Sequence, residues 1–299
     1  MMTLKNLLLL LLLIFILQFR VLGMNKNQDK INYCISHLAD TTDTTESEES
    51  PKHRSVKVSL KYKTNTNYRG RYNDSIKQPS VYSTISYRSK TSFSISLIPT
   101  ILFNSDSTGT GNTRELDISA GYDFKIVKSL EGGLYYSRYW TEKTTTTLKS
   151  AFSNDVIADI NLDWWLYSDV SASYSFGTSK DFFLSFSNSY SFDFDSIFAK
   201  DASVSIAPEL DINWGTQDYY NTFLKKQLTK KGRVITKENT VSNTKFTLSG
   251  ITLALPLDYF IGNFTISIAG YFTKPLNQPK TSQTPAYGYM ETGISYVFK

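Results

Sequence analysis

Cysteine and histidine are nearly missing from this chain: one Cys and two His among 299 residues. A single cysteine, Cys34, allows no internal disulfide. Cys34 and His37 have a loose ligand-like spacing but no further His or Cys beside them, so no zinc site and no metal cofactor are expected. The other histidine, His53, also precedes the first strand-like segment. A hydrolase that activates a hydroxyl nucleophile through histidine therefore lacks its base in the body of the chain. Long apolar runs are missing too. The one exception is at the start, and the mean hydropathy is negative. A bundle of membrane-spanning helices is excluded.

That exception is Leu7–Leu17, preceded by Lys5 and followed by Gln18 and Arg20. It is shorter than the roughly 20 apolar residues a spanning helix needs. Its charged start, apolar middle and Val21-Leu22-Gly23 are those of a secretory signal peptide ending near residue 23. Residues 24–53 follow as a leader. Its acidic, polar stretch DTTDTTESEES at 40–50 cannot bury a core and is expected to be a flexible tether.

What is abundant is Tyr and Phe, 20 and 19 of them, set in strict alternation with small polar residues. The clearest stretch is DFFLSFSNSYSFDFDS at 181–196. Apart from Asn188, every second residue from Phe182 to Phe194 is large and apolar, while the intervening positions 185, 187, 189 and 191 are serine. A period of two over a dozen residues puts one face of a strand in an apolar medium and the other in a polar one. About twelve such segments recur from residue 54 to the end. Two carry irregularities. Pro208 interrupts the ninth, implying a bulge or an unpaired site. The tenth changes register near Gly250, implying a bulge there. In the fifth, LYYSRYW at 134–140, Leu134 and Tyr135 favour opposite faces.

The connections sort by length. Short ones fall near 88–91, 128–131, 166–168, 195–201 and 257–262, and long ones at 64–78, 104–113, 141–154, 215–243 and 274–285, with 177–181 as the one short exception among the latter. Short turns at one end and long loops at the other are the pattern of a transmembrane barrel. The tryptophans agree with it. Trp140, Trp164, Trp165 and Trp214 all close strands, where an indole ring is placed to lie in the headgroup zone as an aromatic girdle.

The fold class expected is therefore all-β: a transmembrane, antiparallel, up-and-down β-barrel of about twelve strands over 54–299. In the signal peptide, the strand count and the closing ETGISYVFK, the chain resembles bacterial outer-membrane β-barrels, of a porin-like and Bacteroidota-like type. In that class the last strand alternates apolar residues, ends on an aromatic and is read by the barrel-assembly machinery. Thr292, Ile294, Tyr296 and Phe298 match the alternation, and the chain departs by ending on Lys299. The resemblance implies the outer membrane of a Gram-negative bacterium, both termini periplasmic, with lipid and lipopolysaccharide as surroundings.

Twelve tilted strands enclose a backbone diameter of roughly 24 Å and, once side chains are added, a lumen on the order of 10 Å. The inward register is polar. The pore-lining residues expected are Lys57, Lys61 and Arg88 on the first two strands and Asp117, Asp123 and Lys125 on the fourth. Asp159 and Asp163 come from the sixth, Glu209 and Asp211 from the ninth and Glu291 from the last. Basic groups gather on strands one and two and acidic ones on strands six to nine, which places them on roughly opposite walls. Glu209 and Asp211 share a face about 7 Å apart, close to a glycosidase pair, but nothing else marks them as catalytic. The loop 215–243 carries Lys225, Lys226, Lys230, Lys231, Arg233 and Lys237, a basic surface suited to acidic sugars. Nucleic acid is not an expected partner. The function expected is passive diffusion of small hydrophilic solutes without catalysis, and the alternative is a closed barrel acting through its external loops.

Overall fold

A computed structural model describes residues 54–72, 78–103, 112–142, 147–197, 199, 201–218, 245–278 and 285–299. The segments expected to be signal peptide and leader, 1–23 and 24–53, lie outside these residues, as does most of the loop 215–243.

The wall runs in chain order through β1 (Ser55–Lys63), then, after the short pair β2 (Asn67–Tyr68) and β3 (Arg71–Tyr72), through β4 (Ser80–Arg88), β5 (Phe93–Leu102), β6 (Thr113–Val127) and β7 (Leu130–Thr141). It continues through β8 (Phe152–Leu162), β9 (Tyr167–Gly177), β10 (Lys180–Ser189), β11 (Phe192–Asp195), β12 (Ala202–Ile206) and β13 (Glu209–Gly215). The last three are β14 (Thr247–Ile261), β15 (Phe264–Pro275) and β16 (Tyr287–Phe298). All pairings are antiparallel, and β1 pairs with β16 from Val56–Phe298 to Lys63–Glu291, which closes the sheet. β10 with β11 and β12 with β13 each act as one interrupted strand, so the barrel has twelve staves. Closure gives every wall strand except the short β11, which pairs with β12 alone, two neighbours, so almost no bare N–H and C=O groups are left for lipid to face.

Two irregularities fall where the sequence expects them. Ala207-Pro208 separates β12 from β13, because proline cannot donate to the ladder, and Ala207 N–H reaches Pro256 O at 3.2 Å instead. Between β13 and β14 the register shifts at Asn213/Trp214, opposite Gly250 and Leu248, so the bulge holds Ser249. The stretch 181–196 departs from one continuous strand. It breaks at Tyr190-Ser191, level with the proline on its neighbour, where Tyr190 N–H meets Pro208 O at 3.3 Å.

The outer surface is the apolar register. Leu60, Ile85, Ile95, Tyr122, Ile160, Tyr174, Phe182, Leu253, Ile266 and Ile294 are all exposed there. The fifth stave resolves its ambiguity: Leu134, Tyr136 and Trp140 face out, and Tyr135, Ser137 and Tyr139 are buried inside. Trp140 and Trp214 stand near the end of the barrel that carries the long connections. Trp164 and Trp165 stand at the other, in the turn after β8. On the last stave Ile294 and Phe298 face out, and Tyr296 meets the Phe264 ring at 4.5 Å.

An arginine on this belt costs most at mid-depth. Leu253→Arg, at the middle of β14, is expected to lower barrel stability by about 2–4 kcal/mol, and Ile261→Arg, at the strand end, by about 0–1 kcal/mol. Denaturant titration in lipid vesicles measures both, and equal losses would contradict the depth assignment.

Candidate functional site

The segment 64–78 looks in sequence like an external loop, but its middle turns into the barrel. β2 and β3 form a hairpin, with Asn67 paired to Tyr72 and Tyr68 to Arg71. The two residues between them, Arg69 and Gly70, have φ of 53° and 75°. That is the geometry of a tight two-residue hairpin turn, which needs positive φ at both positions. Glycine accepts it freely. Arginine does so at a cost, and here its side chain is held from all sides.

The hairpin touches staves on several sides of the barrel. Arg69 Nη2 lies 3.3 Å from Asp155 Oδ2 on β8 and donates to Ser173 Oγ on β9 at 2.8 Å. Both members of this ion pair are almost fully buried, at 3% and 1% side-chain exposure. Gly70 lies so close to β14 that a Cβ there would sit 3.2 Å from Gly250 Cα, and one on Gly250 would sit 3.0 Å from Gly70 O. Arg71 Nη2 donates to Gln217 Oε1 at 3.1 Å and to Leu276 O at 2.7 Å. Asn67 exchanges hydrogen bonds with Tyr287 and Tyr289 of β16, at 3.0 and 3.2 Å.

Tyr68 anchors the hairpin by packing. Its ring lies 5.7 Å from Phe152 and 6.1 Å from Phe183, with Tyr139, Leu148 and Ala151 completing an apolar knot inside the wall. Burial, and next the Asp155 charge, push the Tyr68 hydroxyl well above its ordinary pKa, so it stays neutral. Burial by itself lowers Arg69, and the Tyr68 hydroxyl and the Asp155 charge beside it more than offset this. A second inward element is the 3-10 turn Leu148–Ala151, whose Lys149 pairs with Asp117 and lies 4.5 Å from the Tyr139 ring. Between this turn, the hairpin, β1 and β4–β6 remains a cavity of about 40 Å³, room for a water molecule. At this level the hairpin and the turn occupy part of the interior where a lumen on the order of 10 Å is expected.

The expected lining residues on the staves lie in the inward register, and the structure shows how they meet. Lys61 and Lys63 pair with Glu291 on the adjacent stave at 3.4 and 3.3 Å, and Tyr82 donates to the same carboxylate at 2.9 Å. Arg88 pairs with Asp123 at 2.7 Å, and Tyr135 donates to that carboxylate too. Lys125 pairs with Glu131 at 3.6 Å near the end of β6. Lys57 stands one alternate step from Ser59 on β1, and Asp163 lies in the turn beyond β8. The two sides of the interior differ in how their charges are paired. The basic side is balanced by acids on neighbouring staves. The acidic side is not: Asp159, Asp169, Glu209 and Asp211 form no ion pair among the described residues.

Several of these residues escape the sequence reading. Asp155, Asp169 and Lys63 were accessible to it, since each continues an inward register already assigned, one alternate step from Ile157, Ser171 and Lys61. Arg69 and Arg71 were not. Tyr-Arg-Gly-Arg-Tyr signals a tight turn, but nothing local says that the turn points inward. Lys225, Lys226, Lys230, Lys231, Arg233 and Lys237 lie outside the described residues, as do Cys34, His37 and His53. Among the described residues no group of His, Cys, Asp and Glu is placed to hold a metal ion.

No protein-family model and no curated protein matches the chain. Solved structures do. LpxR from Salmonella typhimurium aligns at a TM-score of 0.50 with 8% identity, covering 81% of this chain and 100% of its own. An outer membrane channel from Pseudomonas putida F1 aligns at 0.44 with 12% identity, over 86% of this chain and 100% of its own. The KdgM porin aligns at 0.44 with 14% identity, over 82% and 99%. At these identities the likeness extends to the fold alone. The chain has the closed barrel fold of outer-membrane proteins.

Proposed function

We propose that this chain is an outer-membrane channel for small hydrophilic solutes, held shut at rest by its β2–β3 hairpin and passing solute by diffusion when the hairpin leaves its seat. The observation that carries the reading is the Arg69–Asp155 pair. It ties a hairpin in strained backbone to the inner wall of a barrel whose outer face is made for lipid. A barrel needed only as a membrane anchor gains nothing from a separate, polar-seated element in its interior. Most of the hairpin's contacts are hydrogen bonds and one ion pair, which water and solute can replace. Only Tyr68 sits in an apolar pocket.

In this reading the barrel lies in the outer membrane of a Gram-negative bacterium, delivered by the signal peptide and inserted through its last strand by the assembly machinery. Both ends of the chain face the periplasm. The long connections, with the basic segment Lys225–Lys237, face the lipopolysaccharide. No covalent chemistry is invoked.

Planar-bilayer recording tests it. The folded chain is expected to give infrequent, discrete current steps, and a chain with residues 65–77 replaced by a Gly-Ser linker is expected to stay open. Silence from both folded proteins would overturn the channel reading. It would favour the second one, a permanently closed barrel acting through its loops, for which the packed interior speaks.

A further inference from the structure

The acids left without ion pairs lie on β8, β9 and β13, with the serine-lined β10 between the last two, on the side of the hairpin nearer the chain ends. Across the inner face, Asp169 on β9 pairs in register with Ser187 on β10, and Ser187 with Asp211 on β13. Glu209 stands one alternate step below Asp211, opposite Ser189. Asp159 on β8 stands opposite Ser171, one alternate step above Asp169. Asp169, Glu209 and Asp211 are 3–4% exposed. Both carboxylate oxygens of Glu209, one of Asp211 and one of Asp159 are buried without a hydrogen-bond partner.

The serines give a separate indication. Ser185 and Ser187 are 0% and 1% exposed, and neither hydroxyl has a hydrogen-bond partner. Ser187 lies directly between Asp169 and Asp211. A hydroxyl can turn its proton to a carboxylate or its lone pairs to a donor. Set between two acids, it can give its proton to a carboxylate and still accept from a bound N–H group. Buried charges are kept when something pairs with them. Here both the carboxylates and the hydroxyls ask for the same partner, a cation carrying N–H groups.

The arrangement selects among cations. With staves about 4.8 Å apart, Asp169 and Asp211 are about 10 Å apart at the backbone, and Glu209 and Asp211 about 7 Å. No three of the described acids surround one point closely enough to hold a metal ion. The carboxylates form a strip and not a cage. We propose that this strip, Asp159, Asp169, Asp211 and Glu209 with Ser187 between, binds a linear polyammonium ion. Its amines, spaced by three or four methylenes, fall on successive carboxylates, and its N–H groups satisfy the serine hydroxyl.

Isothermal titration of spermidine into the full chain, folded in detergent, tests this without requiring conductance. One saturable site is expected, tighter than that for calcium or magnesium at equal ionic strength. D169N/E209Q/D211N is expected to weaken it at least tenfold, and S187A a few-fold. The triple variant removes no ion pair seen among the described residues, so it is expected to fold. Should it not, denaturation of the wild-type chain with and without spermidine still decides, because a ligand bound only to the folded state must raise the midpoint. Spermidine that fails to saturate, binds the triple variant equally, binds more weakly than calcium, or leaves the wild-type midpoint unmoved would overturn the site. Binding without current in bilayers keeps the site and removes the channel. Current without binding does the reverse.

Discussion

Arg69→Ala is expected to raise the open probability of the barrel in a planar bilayer about 100-fold or more. The substitution deletes the hydrogen bond to Ser173 and leaves Asp155 buried without its cation. Removing one member of a buried pair costs about 3–5 kcal/mol, mostly because the other charge stays in low dielectric. Most of that cost falls on the seated state alone, since water can reach Asp155 once the hairpin has gone. Every 1.4 kcal/mol is about tenfold in an equilibrium, so the closed-to-open ratio moves by two decades or more. The strained turn adds to the effect: position 69 has φ of 53°, and alanine there lacks the side-chain contacts that hold it. Arg71→Ala is expected to act in the same direction, because it loses the hydrogen bonds to Gln217 and Leu276. An Arg69→Ala barrel that is folded and conducts like the wild type would show that the hairpin is not the gate.

Gly121→Val is expected to cost about 3 kcal/mol of barrel stability, the upper end for overpacking. A Cβ on Gly121 would stand 2.0 Å from Tyr135 Cδ1. The ring also lies against Gly133, where a Cβ would stand 2.4 Å from its hydroxyl oxygen. Two glycines on adjacent staves thus make the recess in which Tyr135 lies, and its hydroxyl reaches Asp123 from there. The crowding is specific to this ring. Gly121→Val/Tyr135→Ala is therefore expected to recover at least half of the loss, which a double-mutant cycle of urea midpoints in vesicles reads directly. If Gly121→Val folds with an unchanged midpoint, the ring is not seated between the two glycines.

Both expectations concern the interior, and the interior is where sequence and structure part. The outer face was legible because lipid imposes one requirement on every stave. Val56, Val58 and Leu60 on β1 meet the same medium as Ile294 and Phe298 on β16, so period-two alternation alone assigns their side. Turn and loop lengths were legible for a related reason: a barrel's two ends have different work, and chain length records it. Pro208 and Gly250 announced their irregularities through backbone chemistry that any strand obeys.

Alternation also determined which side chains point inward, down to Asp159, Glu209 and Asp211. It could not determine what they meet there. Lys61 and Glu291 are 230 residues apart in the chain and face each other only because β1 closes on β16. Arg69 finds Asp155, and Gly70 finds Gly250, only because a hairpin from the first long connection folds down inside the ring. Local preference made the Arg69-Gly70 turn; its direction was decided by Tyr68 fitting between Phe152 and Phe183, contacts that exist only after closure. The sequence by itself determined a lipid-facing barrel with a polar inside. The tertiary structure alone decided that the inside is occupied, because occupancy depends on pairings between distant strands, and the period of a single strand carries no record of them.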